Sequence, residues 1–279
     1  MGLRINTNVP ALIAQRNLRN TRAGLDTTLE RLSSGQRINH AGDDAAGLAI
    51  SEGLIAQLRG LKQAERNSQD GISLVQVAEG ALGEVSNILI RMREIGVQAS
   101  SDTIGQKERG FLDLEFQQLL EEMDRIAHST KFNGVPLLNG KANVFEIQIG
   151  TGNNPIVDRI SLFDPYSVDV NLVSLGLNLA NVADKLNAQQ SLGAIDIALN
   201  KVTSIRAEFG AMQNRLQSII NNIMINRENL AAANSRIRDA DVAEESTSLT
   251  KNQILMQAGT AVLGQANSTL KAALSLLNN

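Results

Sequence analysis

The amino-acid sequence predicts a mainly α protein: an elongated helical bundle or coiled-coil rod with a small β-hairpin element, its N- and C-terminal helices paired. Three observations lead there. Apolar residues recur in alternating steps of three and four over long stretches, the spacing that keeps one seam facing a partner helix. Proline occurs at only four of 279 positions, 10, 136, 155 and 165, so residues 11–135 and 166–279 are unbroken by proline and both stretches can be long helix. Aromatics are 3 % and hydrophobics 43 %, so the core is built from Leu, Ile, Val and Ala rather than around large rings.

The first helix is announced by Ala11, Leu18, Leu25 and Leu32, spaced by seven, with Leu29 alongside. The opening MGLRINTNVPALIAQ holds only a short apolar-rich run at 9–14. That is less than a secretion signal needs, and nothing approaches a membrane-spanning run of about 18 apolar residues. By these rules alone the chain is expected to be soluble and cytoplasmic. Next, HAGDDAAG contains the acidic pair Asp43-Asp44. Two carboxylates could suggest a metal or an acid/base couple, but neighbouring helix positions do not point the same way. A helix start, with Asp capping the first turn and complementing its dipole, is the expectation.

A long helix follows. Leu54, Leu58 and Leu61 begin a stripe that continues through Val75, Ala78, Leu82, Val85, Leu89, Met92, Gly96 and Ala99. As one helix, residues 43–100 would be roughly 87 Å long at 1.5 Å per residue, which suggests a rod. Leu112, Phe116, Leu119, Met123 and Ile126 mark another helix. From about 132 to 183 the pattern changes. FNGVPLLNG has two turn-forming pairs, Asn133-Gly134 and Asn139-Gly140. VFEIQIG then alternates, with Val144, Glu146 and Gln148 on one face and Phe145, Ile147 and Ile149 on the other. RISLF and VDVNLVSL are read as strands in the same way.

The helical period returns at Phe209, Met212, Leu216, Ile219, Ile223, Asn226, Leu230, Ala233 and Ile237. Asn226 is its one polar position, and an Asn in a seam can fix register at some cost in stability. The last helix repeats the plan of the first: Leu249, Met256, Leu263, Leu270 and Leu277 are spaced by seven, with Asn252, Gly259, Ala266 and Ala273 three residues on. The two ends also share a charge sign. Residues 1–32 carry a net +3 and residues 246–279 a net +2, against −3 for the whole chain, and all seven aromatics lie between Phe111 and Phe209. Helices with a single apolar stripe are marginal alone in water and gain their stability by packing, here on each other or on other copies.

Catalytic chemistry finds little to stand on. Cysteine is absent, which excludes disulfides, thiolate metal sites and thiol nucleophiles. His40 and His128 are the only imidazoles and have no ligand-like spacing, so both are expected at the surface or as caps. Gly150-Thr-Gly-Asn-Asn-Pro starts like a dinucleotide loop but lacks the third Gly and a following helix. Glu121-Glu122 and Glu244-Glu245 are expected on solvated helix faces. No catalytic, cofactor or metal residue is assigned, no enzyme activity is expected, and the charge balance offers no nucleic-acid surface.

Four long stretches resemble bacterial flagellin. They are LERLSSGQRINHAGDDAAGLAISEGL at 29–54, NSQDGISLVQVAEGALGEVSNILIRMREIGVQAS at 67–100, RIAHSTKFNGVPLLNG at 125–140 and ENLAAANSRIRDADVAEESTSLTKNQILMQAGTAVLGQAN at 228–267. The resemblance covers about residues 1–140 and 190–279. It implies a structural subunit that polymerises into the flagellar filament for motility, with no cofactor and no small-molecule substrate. It also implies export through the flagellar type III apparatus without a cleaved signal. That places the protein outside the cell, in a filament lying free, in a sheath or in the periplasm, against the cytoplasmic expectation above.

The implied domains are 1–42 and 241–279 as the two halves of an inner coiled-coil core, disordered in the free monomer, and 43–240 as a helical rod with its β region at about 132–183. The implied assembly residues are Leu18, Leu25, Leu32, Leu249, Met256, Leu263, Leu270 and Leu277. The implied partners are further copies of the chain, an export chaperone, the filament cap and hook-associated junction proteins. LIRMREIGVQ at 89–98 resembles the motif sensed by Toll-like receptor 5, with Arg91, Ile95 and Glu115 at matching positions. Ile90 stands where Gln is common, and Gly96 departs as well. Packing between stacked subunits is the alternative role for these residues. The alternative identity is a hook–filament junction protein or another type III-exported helical assembly protein. The variable outer domain is reduced to about 50 residues, 135–188, which predicts a thin filament with little surface decoration.

Overall fold

The computed structural model describes residues 7–140, 144–162 and 168–277, with side chains up to residue 269. Five helices dominate: α1 Val9–Ser34, α2 Ala45–Ala99, α3 Gln106–Ser129, α4 Lys185–Arg238 and α5 Val242–Leu277. Four short strands lie between α3 and α4: β1 Lys131–Phe132, β2 Val135–Pro136, β3 Glu146–Gln148 and β4 Arg159–Ser161. The chain forms two compact units, one of residues 1–56 and 229–279, the other of residues 57–228.

Local chemistry sets the helix ends. Asn8 caps α1 by accepting from the Ala11 amide at 3.1 Å, Pro10 sits in the first turn, and Gly35 closes the helix in the left-handed conformation at φ 69°. Asp44 accepts from the Gly47 amide at 2.8 Å and so caps α2, as expected for one of the two aspartates. Asp43 instead binds the turn before the helix, its Oδ2 accepting from the amides of His40 at 3.0 Å and Asn39 at 3.1 Å. Those amides hold its carboxyl below the ordinary range.

In the unit of residues 57–228, the predicted stripe of α2 is the core. Val75, Ala78, Leu82, Val85, Leu89, Met92 and Ala99 are fully buried. Phe116, Leu120, Met123 and Ala127 of α3 and Ala188 to Leu216 of α4 pack on it in the same continuous cluster. Gly96 belongs to this packing, because a Cβ there would lie 3.0 Å from Leu192 Cδ2. The β1–β2 hairpin turns on Asn133 and Gly134, with φ 48° and 81°, the two positive values of a type I′ turn. β3 pairs antiparallel with β4, Ile147 opposite Ile160, and turns Phe145, Ile147 and Ile149 onto the core as their alternation predicts.

Two expectations are corrected. VDVNLVSL forms no strand. The Asp169 and Asn171 side chains accept from the amides of Asn171 and Ser174, at 3.1 and 2.8 Å, and these bonds wind the segment into turns. Asn226 does not sit in the seam: it is exposed and donates to Asn222 Oδ1 at 2.8 Å. Its neighbour Arg227 turns inward instead and pairs with Glu65 of α2.

In the other unit, an antiparallel bridge between Gln36 and Asp239 ties the turn after α1 to the turn between α4 and α5. The Arg37 amide donates to Arg238 O at 2.6 Å, and the Ala240 amide to Gly35 O at 3.0 Å. Ile38 is buried beside the Cα of Gly47, where a Cβ would strike its Cδ1 at 2.8 Å.

Candidate assembly surface

The terminal helices pack as an antiparallel hairpin. Asn8 Nδ2 donates to Ala266 O at 3.0 Å, Leu18 lies over Gly259, Gly24 faces Asn252, and Arg31 pairs with Glu245 at 3.1 Å. Along α1 the inward positions are Ala11, Ala14, Leu18, Thr21, Leu25, Thr28 and Leu32, a three-four alternation. Along α5 they are Leu249, Asn252, Met256, Gly259, Leu263 and Ala266. The structure thus brings Leu18, Leu25 and Leu32 together with Leu249, Met256 and Leu263. The side chains of Leu270 and Leu277 lie outside the described residues.

All six of these placed side chains are only half-buried. Among the described residues of this unit, Ala14 and Ile38 are the only buried hydrophobic side chains. The hairpin therefore has one seam and no second layer. A further apolar face stays in water: Val9, Leu12, Ile13 and Leu29 of α1, and Ile254, Leu255 and Val262 of α5, with Leu12 56 % and Ile254 60 % exposed. Of this face sequence reasoning singled out Leu29 alone, because it otherwise followed the sevenfold repeats and the small residues three positions on. The signal was the apolar residues one position off the repeat, Leu12 beside Ala11 and Val262 beside Leu263.

Glu245 departs from the expectation made for the Glu244-Glu245 pair. It does not lie on a solvated face: its side chain is 12 % exposed and engages Arg31 Nη1, while Arg31 Nε is buried with no partner among the described residues. Glu122, by contrast, pairs with Arg125 on the surface at 2.6 Å, and Arg125 holds its carboxyl below the ordinary range. His40 and His128 are at the surface as expected, beside Glu30 and Asp124.

Of the receptor-like residues, Arg91 and Glu115 meet across α2 and α3, with Nη2 2.8 Å from Oε1, and both are exposed. Arg91 also reaches Glu94 at 2.9 Å. Glu115 foremost, then Glu94, raises the guanidinium pKa above its ordinary value. Ile95 is 1 % exposed and belongs to the core, not to the surface.

The Gly150 loop folds around its own anion. The amides of Gly152 and Asn154 donate to the Asp158 carboxylate at 3.2 and 2.9 Å, which leaves them no role in binding a phosphate. Among the described residues, no helix is long and apolar enough to cross a membrane.

Residues 5–143 match the family model of the bacterial flagellin N-terminal helical region, and residues 192–277 match that of the bacterial flagellin C-terminal helical region. The chain is 47 % identical over 273 residues to a flagellin of Halalkalibacterium halodurans, covering 98 % of this chain and 99 % of that one. It is 40 % identical over 288 residues to the flagellar filament 33 kDa core protein of Treponema phagedenis, with the same coverage. Among solved structures, Bacillus cereus flagellin aligns at 36 % identity with a TM-score of 0.51, covering 61 % of this chain and 94 % of that one.

Proposed function

The chain belongs to the bacterial flagellin family and is a structural subunit of the flagellar filament; from that premise we propose that its terminal hairpin completes its folding only against other copies of the chain. The observation that carries this reading is the poverty of buried apolar surface in that unit beside the dense core of the other. Each large apolar side chain taken fully from water contributes about 1.5–3 kcal/mol, and two buried residues, one of them Ala, supply little of that. Neighbouring copies provide the missing layer. Folding of the ends and addition to the filament then become one event, and repetition of one heterologous contact builds an open helix.

In this reading residues 1–42 and 241–279 are the inner core of the filament and 43–240 the surrounding rod. Leu18, Leu25, Leu32, Leu249, Met256, Leu263, Leu270 and Leu277 are the assembly residues, in stripes whose burial is completed when neighbouring copies close over the hairpin. The filament is extracellular and reached through type III export. An export chaperone would cover the terminal stripes beforehand, and the cap and junction proteins would meet the same stripes at the filament's two ends. For Toll-like receptor 5, the exposed pair Arg91–Glu115 is the accessible part of the motif, and Ile95 supports it from within the core.

Deleting residues 246–279 tests the reading. The unit of residues 57–228 should keep its helical circular dichroism and melting transition, while seeded filament growth is lost. Normal filaments from the truncated chain would defeat it. Unaided growth of long polymers by the intact chain separates a filament subunit from a junction protein, which should not extend alone.

A further inference from the structure

The terminal hairpin has a second character that self-assembly leaves unused. Along α1, Val9, Leu12, Ile13, Arg16 and Arg19 fall at i, i+3, i+4, i+7 and i+10 and share one face. That face is turned away from the seam with α5, and all five residues are exposed. Val9, Leu12 and Ile13 form an apolar cluster at the start of the helix. Arg16 and Arg19 follow directly, and Arg22 stands at the edge of the same face. None of these three arginines has an ion-pair or hydrogen-bond partner among the described residues.

The charge is as one-sided as the shape. Residues 7–25 include Arg16, Arg19 and Arg22 and no acid; the first carboxylate after them is Asp26. On α5, Lys251 is exposed and no acidic residue occurs from 246 onward. Exposed apolar side chains can be satisfied by further copies. Free arginines beside them call for an anion, and the ends of another copy do not supply one, because both terminal segments are net positive. An apolar cluster bordered by unpaired arginines suits a membrane interface. The aliphatic side chains enter below the headgroups and the guanidinium groups stay among the phosphates. Four arginines in the 26 residues of α1 oppose burial across the bilayer, and no described helix is long and apolar enough to cross one.

We propose that the face of α1 bearing Val9, Leu12, Ile13, Arg16 and Arg19 adsorbs the unassembled chain to an anionic phospholipid bilayer. The proposal rests on the assembly reading in one respect: the face is free until neighbouring copies cover it. Bilayer and filament then compete for α1. A chain held on lipid offers no α1 to a growing end, and a chain in the filament offers none to lipid. An anionic surface therefore holds back unassembled subunits and gives them up by mass action as the filament consumes them.

Vesicle flotation tests this with the full-length monomer. Vesicles of equal parts phosphatidylcholine and phosphatidylglycerol should carry the chain upward, and vesicles of phosphatidylcholine alone should not. Raising the salt should release it. Arg16→Ala with Arg19→Ala should weaken vesicle binding about fivefold for each cation lost. Leu12→Ser with Ile13→Ser should weaken it about tenfold, whereas Lys62→Ala, an exposed cation of the other unit, should leave it unchanged. All four substituted α1 side chains are exposed, so neither double variant disturbs the seam. Anionic vesicles should also delay seeded growth of the native chain, and neutral ones should not. Absence of binding, or equal binding to both kinds of vesicle, would overturn the proposal. So would undiminished binding by the arginine variant. Undiminished binding by the Leu12, Ile13 variant would reduce the face to a general attraction for polyanions and overturn it likewise. Filament growth in the absence of lipid is read separately, so the assembly reading stands or falls on its own.

Discussion

Leu18 of α1 rests directly over Gly259 of α5, so closely that a Cβ on Gly259 would lie 2.6 Å from Leu18 Cδ2. The sevenfold leucine repeat of the first helix and the small residues of the last are thus two sides of one fit. Gly259→Val should separate the helices, since a branched side chain cannot occupy that gap. The expected outcome is faster hydrogen exchange along residues 9–34 and loss of filament growth. The melting transition of the unit of residues 57–228 should not move, and scanning calorimetry would check that.

A second test concerns Glu245. It is nearly enclosed and satisfies one end of Arg31, whose Nε already lacks a partner. Removing the carboxylate leaves a half-buried guanidinium with less compensation, at about 1–3 kcal/mol. Glu245→Ala should therefore loosen the hairpin near residues 28–34 by that amount in native-state exchange. Glu244→Ala, on an exposed neighbour, should change little.

How far the sequence disclosed this arrangement differs from element to element. The seam from Val75 to Ala99 was fully legible, because a three-four period over 25 residues has no other way to bury its apolar side chains. The Asn133-Gly134 turn was equally plain, since two consecutive positive φ values favour that pair. VDVNLVSL misled because its apolar alternation is also compatible with a chain wound by Asp169 and Asn171. The spacing of those side chains before Ser174 was the overlooked sign. Asn226 misled for a related reason. A long helix drifts against a strict repeat, so the inward position passed to Arg227, and only the partner Glu65, far away in sequence, reveals it. The apolar face at Leu12 and Ile254 could be read from composition but not assigned, because no described residue of the chain covers it.

Core substitutions should act on the second unit alone. Leu82 and Leu89 are fully buried among α2, α3 and α4. Truncating either to Ala removes contacts and leaves a cavity, at about 2–5 kcal/mol. Chemical denaturation followed by helical circular dichroism should show an earlier midpoint for Leu82→Ala, with the denaturant slope unchanged.

Acid should weaken the junction between the α2–α3 turn and α4. Lys185 Nζ lies 2.7 Å from Asp102 Oδ2, and this bond, with the Lys185 charge, holds the Asp102 carboxyl below its ordinary range. A depressed native value means that the contribution is complete above the unfolded carboxylate pKa, near about 3.9. It is lost as pH falls through the lower native value. Asp43, bound by the His40 and Asn39 amides, behaves in the same sense. Asp102→Asn should therefore lower the melting temperature slightly at neutral pH and meet the native chain in acid, so that its decline on acidification is shallower by the same small amount, small because Asp102 and Lys185 lie at the surface.

The last prediction separates the seam within one chain from the face between chains. Leu263 is half-buried against α1, whereas its neighbour Val262 is 58 % exposed. Leu263→Asp places a charge in the existing seam, so it should loosen the monomer's hairpin and abolish growth together. Val262→Asp places the same charge in water as long as the chain is alone, so exchange rates in the monomer should match those of the native chain. In the filament that position would be covered, and an unpaired carboxylate buried there is costly enough to prevent addition. Sedimentation of seeded reactions against monomer exchange data would check both arms. If Val262→Asp grew filaments at the native rate, the exposed face of α5 would not be an assembly surface, and the ends would have to be stabilised through the Leu249–Leu263 stripe alone.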